Sequence, residues 1–325
     1  MLKKFIESTK SFCNLQNDIK KDKMPHAVML ISSDGEYSGE YAKMLAKLLI
    51  CEAGHGIGEQ QCDICKNVEK GVHPDVIEFG KDENITSEDA GKIIDSTIIG
   101  PYSASRKLYI LYNYDTVNKT VENKLLKTLE EPPSYCNFIL VVKNTSKLLQ
   151  TTLSRTRKIY LEGLTLEVLA NILKSRNISD AELIAVQSYG NLERAELYSK
   201  NNDAKAIMSF VQDCLLNMND TMSIVNYAFK FEEFSTHFDD VVNTFAQVAF
   251  DSLKAQIGLT NLVDNKMSID SIKKIANMIS LTALTKIIEA TYKAKEMRES
   301  NVTIANIIDQ FLLKIVEVKI KCRKK

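Results

Sequence analysis

Charge of one sign, long apolar runs and low-complexity tracts are all missing from this chain. Lysine plus arginine and aspartate plus glutamate number 42 each, so the formal net charge is zero, which excludes a disordered tail protein and a polycation that coats nucleic acid. Contact with DNA would have to come from a local patch. The longest apolar runs, such as Ala27 to Ile31 and Phe138 to Val142, are strand-sized and far short of a membrane span. The opening Met1-Leu2-Lys3-Lys4-Phe5-Ile6-Glu7 has no signal-peptide core, so a soluble cytoplasmic protein is expected. No internal repeat is visible.

Glycine and proline are scarce and unevenly spread. Of twelve Gly and five Pro, nine Gly and all five Pro precede residue 134, which makes the first part turn-rich and leaves the rest nearly uninterrupted. The 325 residues are about twice the usual domain size. Before residue 163, short β-rich runs alternate with helical patterns: Ala27 to Ile31, Asp75 to Phe79, Lys107 to Tyr112, Phe138 to Val142 and Lys158 to Leu161. Nearly continuous apolar strands separated by helices predict a parallel sheet covered on both faces. Met44, Leu45, Leu48 and Leu49 share one helical face, as do Ile93, Ile94 and Thr97 after an N-cap at Thr86 or Ser87. From Leu164 onward, with Thr165 as the first N-cap, roughly eight amphipathic helices follow and no β-like run intervenes. The fold class expected is α/β followed by all-α, divided at 1–163, 164–205 and 206–325.

The first strand runs through Ser32-Ser33-Asp34-Gly35-Glu36-Tyr37-Ser38-Gly39 into a helix, where a nucleotide-binding α/β domain carries its phosphate cradle. A working cradle needs glycines for close backbone approach, a Lys for the phosphate oxygens and a Ser or Thr for Mg²⁺. Here Ser32 and Tyr37 replace the glycines, Ser38 the Lys, and Gly39 the Ser or Thr. A charge-assisted contact is worth about 1.5–3 kcal/mol, and the bulk of Tyr37 is expected in the path of approach, so tight Mg-ATP binding is not expected. The strand Leu108 to Leu111 leads into Tyr112-Asn113-Tyr114-Asp115, and neither Tyr112 nor Asn113 can hold Mg²⁺ or orient water as paired acids would. Both halves of the site fail together, as in a domain that keeps an ATPase fold without the reaction.

Seven cysteines without a secretion signal argue for thiols or metal ligands over a disulfide scaffold. Cys62-Asp63-Ile64-Cys65 has the C-x₂-C spacing that lets two thiolates share one tetrahedral ion, with Cys51 eleven residues earlier. No general base is placed near them by motif, so the readings are structural zinc or vestigial thiols. His73, beside Pro74, reads as a turn or packing residue.

The chain resembles the delta-prime subunits of bacterial DNA polymerase III clamp loaders, relatives of the AAA+ ATPases. The resemblance rests on Pro25-His26-Ala27, the degenerate loop, Gly71-Val72-His73-Pro74-Asp75, and the string Asn123-Lys124-Leu125-Leu126-Lys127-Thr128-Leu129-Glu130-Glu131-Pro132-Pro133 followed by Ser154-Arg155-Thr156. It covers the first 163 residues well and the remainder weakly. It implies an AAA+-like domain, a helical lid and a helical collar, in a subunit that hydrolyses no ATP itself. Arg155 would act as an arginine finger, in trans, on ATP held by a neighbouring gamma/tau subunit. Thr156 stands where the family pattern has Cys.

The resemblance further implies gamma/tau and delta subunits as partners, with the sliding clamp and primer-template DNA met through the complex in a bacterial cytoplasm. A four-cysteine zinc site is implied too. Alignment on His73-Pro74-Asp75 puts Glu59 at the second ligand position; Glu59 through oxygen, or His55 from the same loop, could complete Cys51, Cys62 and Cys65. The alternative function is a gamma/tau-like clamp-loader ATPase with an atypical phosphate loop.

Lys119, Lys124 and Lys127 form a mildly basic helix face that reads as solvated. Glu130 and Glu131 end a helix ahead of Pro132 and point about 100° apart, which favours a structural or interface role. Gly190 to Ala195 lies at the family's second-domain Gly motif, with Arg194 read as structural. The stripes Ile272, Ile275, Ile279 and Ile308, Phe311, Leu312, Ile315 fit either a local core or a collar interface.

Overall fold

The structure is a computed structural model that describes residues 1–51, 62–201, 203–300 and 302–322. By contacts the chain forms two compact units, one of Met1–Val168 with Asn191–Arg194 and one of Leu169–Gly190 with Ala195–Lys325.

In the first unit the elements run α1 (Leu2–Ser8), α2 (Lys10–Lys20), β1 (Ala27–Ile31), α3 (Gly35–Ile50), α4 (Asp63–Glu69), β2 (Val76–Phe79), α5 (Ser87–Thr97), β3 (Lys107–Leu111), α6 (Lys119–Glu130), β4 (Cys136–Val142), α7 (Gln150–Arg155) and β5 (Arg157–Tyr160). The five strands form one sheet in the order β2-β3-β4-β1-β5, and every pairing is parallel. Ala27 faces Phe138 and Ile31 faces Val142 across β1 and β4.

β1, β3 and β4 are buried along their whole length, because helices cover both faces and no polar alternation is needed. On one face Met29, Tyr109, Leu111, Phe138 and Leu140 pack with Ile93, Val121, Leu125 and Leu129 of α5 and α6, and the Tyr109 and Phe138 rings stack at 4.9 Å. On the other, α3 lies over β1, β3 and β4. β4 starts two residues before the expected Phe138, since Cys136 and Asn137 pair with Lys107 and Leu108.

Caps set the helix starts. Thr86 and Asp89 form a reciprocal capping box at α5, satisfying two backbone donors at once. Asn118 caps α6 through Val121 N–H at 2.9 Å, and α6 stops at Glu130 ahead of Pro132 and Pro133, where the ring allows no further ladder.

After β5 every described element is helical: α8 (Leu166–Ser175), α9 (Ala181–Gln187), α10 (Leu192–Asn201), α11 (Asp203–Asn217), α12 (Thr221–Glu232), α13 (Phe238–Gln256), α14 (Ile269–Met278), α15 (Leu281–Glu299) and α16 (Ile304–Lys321), with short 3₁₀ turns between. Thr165 caps the start of α8 through Val168 N–H. In the second unit α11, α13, α15 and α16 enclose a core around Phe231, Phe245, Ile287, Phe311 and Leu312. Ile272, Ile275, Ile279, Ile308 and Ile315 are buried as well, so these stripes are core rather than exposed face. Met222, Val225 and Phe229 on α12 are exposed. No helix among the described residues is long and apolar enough to cross a membrane.

Candidate functional site

At the end of β1 the chain makes only a three-residue link, Ser32 to Asp34, before α3 begins at Gly35. Ser32 N–H still extends the ladder to Val142 O at 3.1 Å. Asp34 is the N-cap, accepting from Tyr37 N–H at 3.0 Å, so residues 35–39 form the first helical turn instead of a wide anion loop. Ser38, at the expected Lys position, is buried and donates its hydroxyl to Asp34 O at 2.8 Å. Tyr37 differs from expectation. Its ring turns into the core against Phe5 and Tyr41 and does not fill the cradle; burial pushes its phenol well above the ordinary value.

The same Asp34 carboxylate accepts from Leu192 and Glu193 N–H, the latter at 3.3 Å. Burial pushes its carboxyl up, while the three backbone donors pull it down. Glu193 in turn accepts from Gly35 N–H at 3.0 Å and from Lys143 Nζ at 2.9 and 2.8 Å. These groups border a cleft of about 300 Å³ that also carries Glu36, Glu40, Lys43, Lys81 and Tyr112. Beyond β3, Tyr112 donates to Glu78 at 3.0 Å, Asn113 sits in the left-handed region and bonds Gly80 O, and Asp115 accepts from Lys143 and Asn144 N–H. Tyr112 is thus tied to β2, while Asn113 and Asp115 bond backbone groups of neighbouring loops.

Arg155 ends α7 immediately before β5 with its side chain about one third exposed. It forms an ion pair with Glu130 at the end of α6 and donates to Thr151 O at 2.8 Å and Ser154 Oγ at 3.3 Å. Thr156 points inward and donates to Thr152 O at 3.0 Å. The start of α7 rests on Glu122, a fully buried carboxylate of α6 that accepts from Leu149 N–H and Thr152 Oγ1, each at 2.7 Å. Glu130 thus has a structural partner, and Lys119 and Lys124 are tied to the carbonyls of Lys147 and Ser87.

The structure brings Cys51, Cys62 and Cys65 together. Cys51 follows the last residue of α3, Cys62 caps α4 and Cys65 lies in its first turn. The Sγ atoms of Cys51 and Cys62, and of Cys62 and Cys65, are 3.6 Å apart. Thiolates at tetrahedral corners about 2.3 Å from zinc stand about 3.8 Å apart, so the trio fits such an ion and its soft donors suit zinc. The Cys65 backbone N–H holds the Cys62 thiol low, whereas burial pushes Cys65 up to about 12. The expected fourth ligands, Glu59 and His55, lie outside the described residues. Beside the trio, buried Lys47 pairs with Glu69, which also binds Lys3; burial lowers Lys47 to about 8.

His73 stays out of this cluster, accepting Asp75 N–H at Nδ1. Asp75 ties down a loop 27–29 residues away by accepting from the N–H groups of Tyr102, Ser103 and Ala104. Burial raises its pKa, but those donors outweigh burial and leave it below the usual aspartate value.

A family model described as "DNA polymerase III, delta subunit" matches residues 8–165. The delta-prime subunit of DNA polymerase III from Bacillus subtilis is 26% identical over 311 residues, spanning 93% of this chain and 94% of that one. These two matches make the chain similar to the delta and delta-prime clamp-loader subunits of DNA polymerase III, the first over residues 8–165 and the second over nearly its whole length. The gamma subunit from Buchnera aphidicola (Schizaphis graminum) is 30% identical over 204 residues, 58% of this chain and 56% of that one. The chain therefore aligns with little more than half the length of that gamma subunit. Among solved structures, a gamma subunit-related protein from Thermotoga maritima aligns at TM-score 0.43 and 17% identity, covering 95% of this chain and 98% of that one.

The sequence pattern points to Arg155 and the cysteines but not to Asp34, Glu193 or Glu122. Glu122 alone left a local signal, a carboxylate beside the Val121, Leu125, Leu129 stripe. Asp34 and Glu193 meet only through a fold contact 159 residues long.

Proposed function

We propose that this chain is a non-hydrolysing delta-prime subunit of the DNA polymerase III clamp loader, supplying Arg155 in trans to a neighbouring gamma/tau ATPase and so helping load the sliding clamp on primed DNA. The observation that carries this reading is the phosphate-cradle position: Ser38 stands where a Lys is needed and bonds back to Asp34, while Arg155 lies at an accessible helix end. A guanidinium is always charged and forked, so it neutralises charge developing on a transferring phosphoryl without a nucleotide pocket of its own. To reach a neighbour's phosphate, Arg155 exchanges Glu130 for that oxygen. The ion pair is partly open to solvent, and pairs near the surface hold only weakly, by about 0–1 kcal/mol.

In the same reading residues 1–163 form the AAA+-like domain, 164–205 the lid and 206–325 the collar that meets gamma/tau and delta. Cys51, Cys62 and Cys65, with Glu59 or His55 as fourth ligand, hold a structural zinc that fastens the end of α3 to α4. A bacterial cytoplasmic location accompanies this function.

A second reading, a gamma/tau-like ATPase with an atypical loop, is favoured by matches to gamma and tau subunits at up to 32% identity. Calorimetric titration of the isolated chain with Mg-ATP separates the two. Absence of binding is the expected result, and micromolar affinity would replace the first reading by the second.

A further inference from the structure

We infer that Glu193 is the resident occupant of the phosphate position: its carboxylate sits where an anion would sit at the start of α3 and excludes phosphate-bearing ligands from the cleft. This rests on the reading that the chain holds no nucleotide, and it names the residue responsible.

The anion seat is built from three observations. The 16-residue α3 presents its first N–H, that of Gly35, to Glu193 Oε2 at 3.0 Å, as helix starts present N–H groups to phosphates. Lys143, just past β4, contacts both Glu193 oxygens at 2.9 and 2.8 Å, supplying the cation a phosphate would otherwise take. Gly35 eases the approach: a Cβ there would stand 3.0 Å from Glu193 Oε2 and 3.1 Å from Lys143 Cε, so both side-chain ends would have to draw back by a few tenths of an ångström.

The occupant is also fixed from behind. Leu192 and Glu193 N–H bond to Asp34, and Asn191 Nδ2 donates to Ser33 O at 3.2 Å, so the backbone carrying Glu193 is stitched to the link between β1 and α3. Charge matches this arrangement. The cleft lining holds Lys43, Lys81 and Lys143 against Glu36, Glu40 and Glu193, a neutral set with little attraction for a polyanion. Without the Glu193 carboxylate, lysines outnumber glutamates, and the Gly35 N–H and Lys143 Nζ lose the acceptor they share.

The test is calorimetric titration of the full-length chain with inorganic tripolyphosphate, free of Mg²⁺, comparing wild type, Glu193→Ala and the double variant Glu193→Ala/Lys143→Ala. Replacing an occupied seat by an open one should tighten tripolyphosphate binding about tenfold or more in Glu193→Ala. The double variant should lose that gain. In glycine-labelled Glu193→Ala, the Gly35 amide resonance should move with ligand.

Equal affinity of wild type and Glu193→Ala, a gain that survives loss of Lys143, or an unmoved Gly35 amide would each overturn the inference. Glu193→Gln removes the charge held by Lys143 and replaces the Ala variant if circular dichroism shows the latter unfolded; it too should bind tripolyphosphate more tightly than wild type, and equal affinity would overturn the inference. Mg-ATP binding by the wild type would instead sink the no-nucleotide reading, a readout separate from the tripolyphosphate comparison.

Discussion

Replacing Asp34 by Ala should destabilise the first unit by about 3 kcal/mol. The buried carboxylate caps α3 through Tyr37 N–H and also accepts from Leu192 and Glu193 N–H. Loss of an N-cap costs about 1 kcal/mol, and each further buried donor left without its acceptor costs about 1 kcal/mol more. For a unit of this size each kcal/mol moves Tm by about 2–4 °C, giving a drop of about 6–12 °C. Asn at position 34 keeps Oδ1 for Tyr37 and Glu193 but turns an NH₂ toward Leu192 N–H, so about half the loss is expected. The chain has no Trp, so the melt is followed by far-UV circular dichroism. An Asp34→Ala variant melting within about 1 °C of wild type would refute the double-cap reasoning.

Three other outcomes are expected. Cys65→Ser should abolish tight zinc retention and lower the melting temperature, whereas the wild type should hold about one zinc per chain through dialysis and release it to a chelator with loss of stability; a wild type that retains no zinc after dialysis contradicts the assignment. Asp75 is held below the ordinary aspartate value, so its stabilising contribution is complete above about pH 4 and is lost as pH falls through its lower folded-state value. Asp75→Asn should therefore be less stable at neutral pH, with a shallower acid limb in urea denaturation, and parallel curves would count against the tie to residues 102–104. Tyr37→Phe should cost nothing and could add about 1 kcal/mol, because the buried hydroxyl has no partner among the described residues; a clear loss on chemical denaturation would show the hydroxyl to be engaged.

The sheet was legible because its central strands β1, β3 and β4 are nearly continuous apolar runs, the signature of burial on both faces, whereas the edge strands β2 and β5 are partly exposed. Helix starts were legible where the cap is local, as at Thr86 with Asp89 three residues on. Tyr37 is not placed by the sequence because a degenerate phosphate motif predicts a loop there. Once α3 begins at Gly35, Tyr37 falls one turn before Tyr41 and joins the stripe that runs on to Leu45, which is the core face. The C-x₂-C spacing with Cys51 eleven residues earlier marks the three clustered thiols, and the approach of Cys51 is set by where α3 ends relative to α4. Glu193 and Asp75 act on backbone donors far away in sequence, and a contact of that kind leaves no periodicity to read.

The most direct measurement is the ATP hydrolysis rate of the reconstituted clamp-loading assembly, with gamma/tau and delta present, carrying either wild-type chain or Arg155→Ala. Arginine fingers contribute about 10³–10⁵ in rate where measured on small GTPases. Turnover at the one neighbouring ATP site, with clamp loading, should fall steeply while the melting curve of the variant chain stays close to wild type. Unchanged hydrolysis and loading with Arg155→Ala would contradict the proposed role of this subunit.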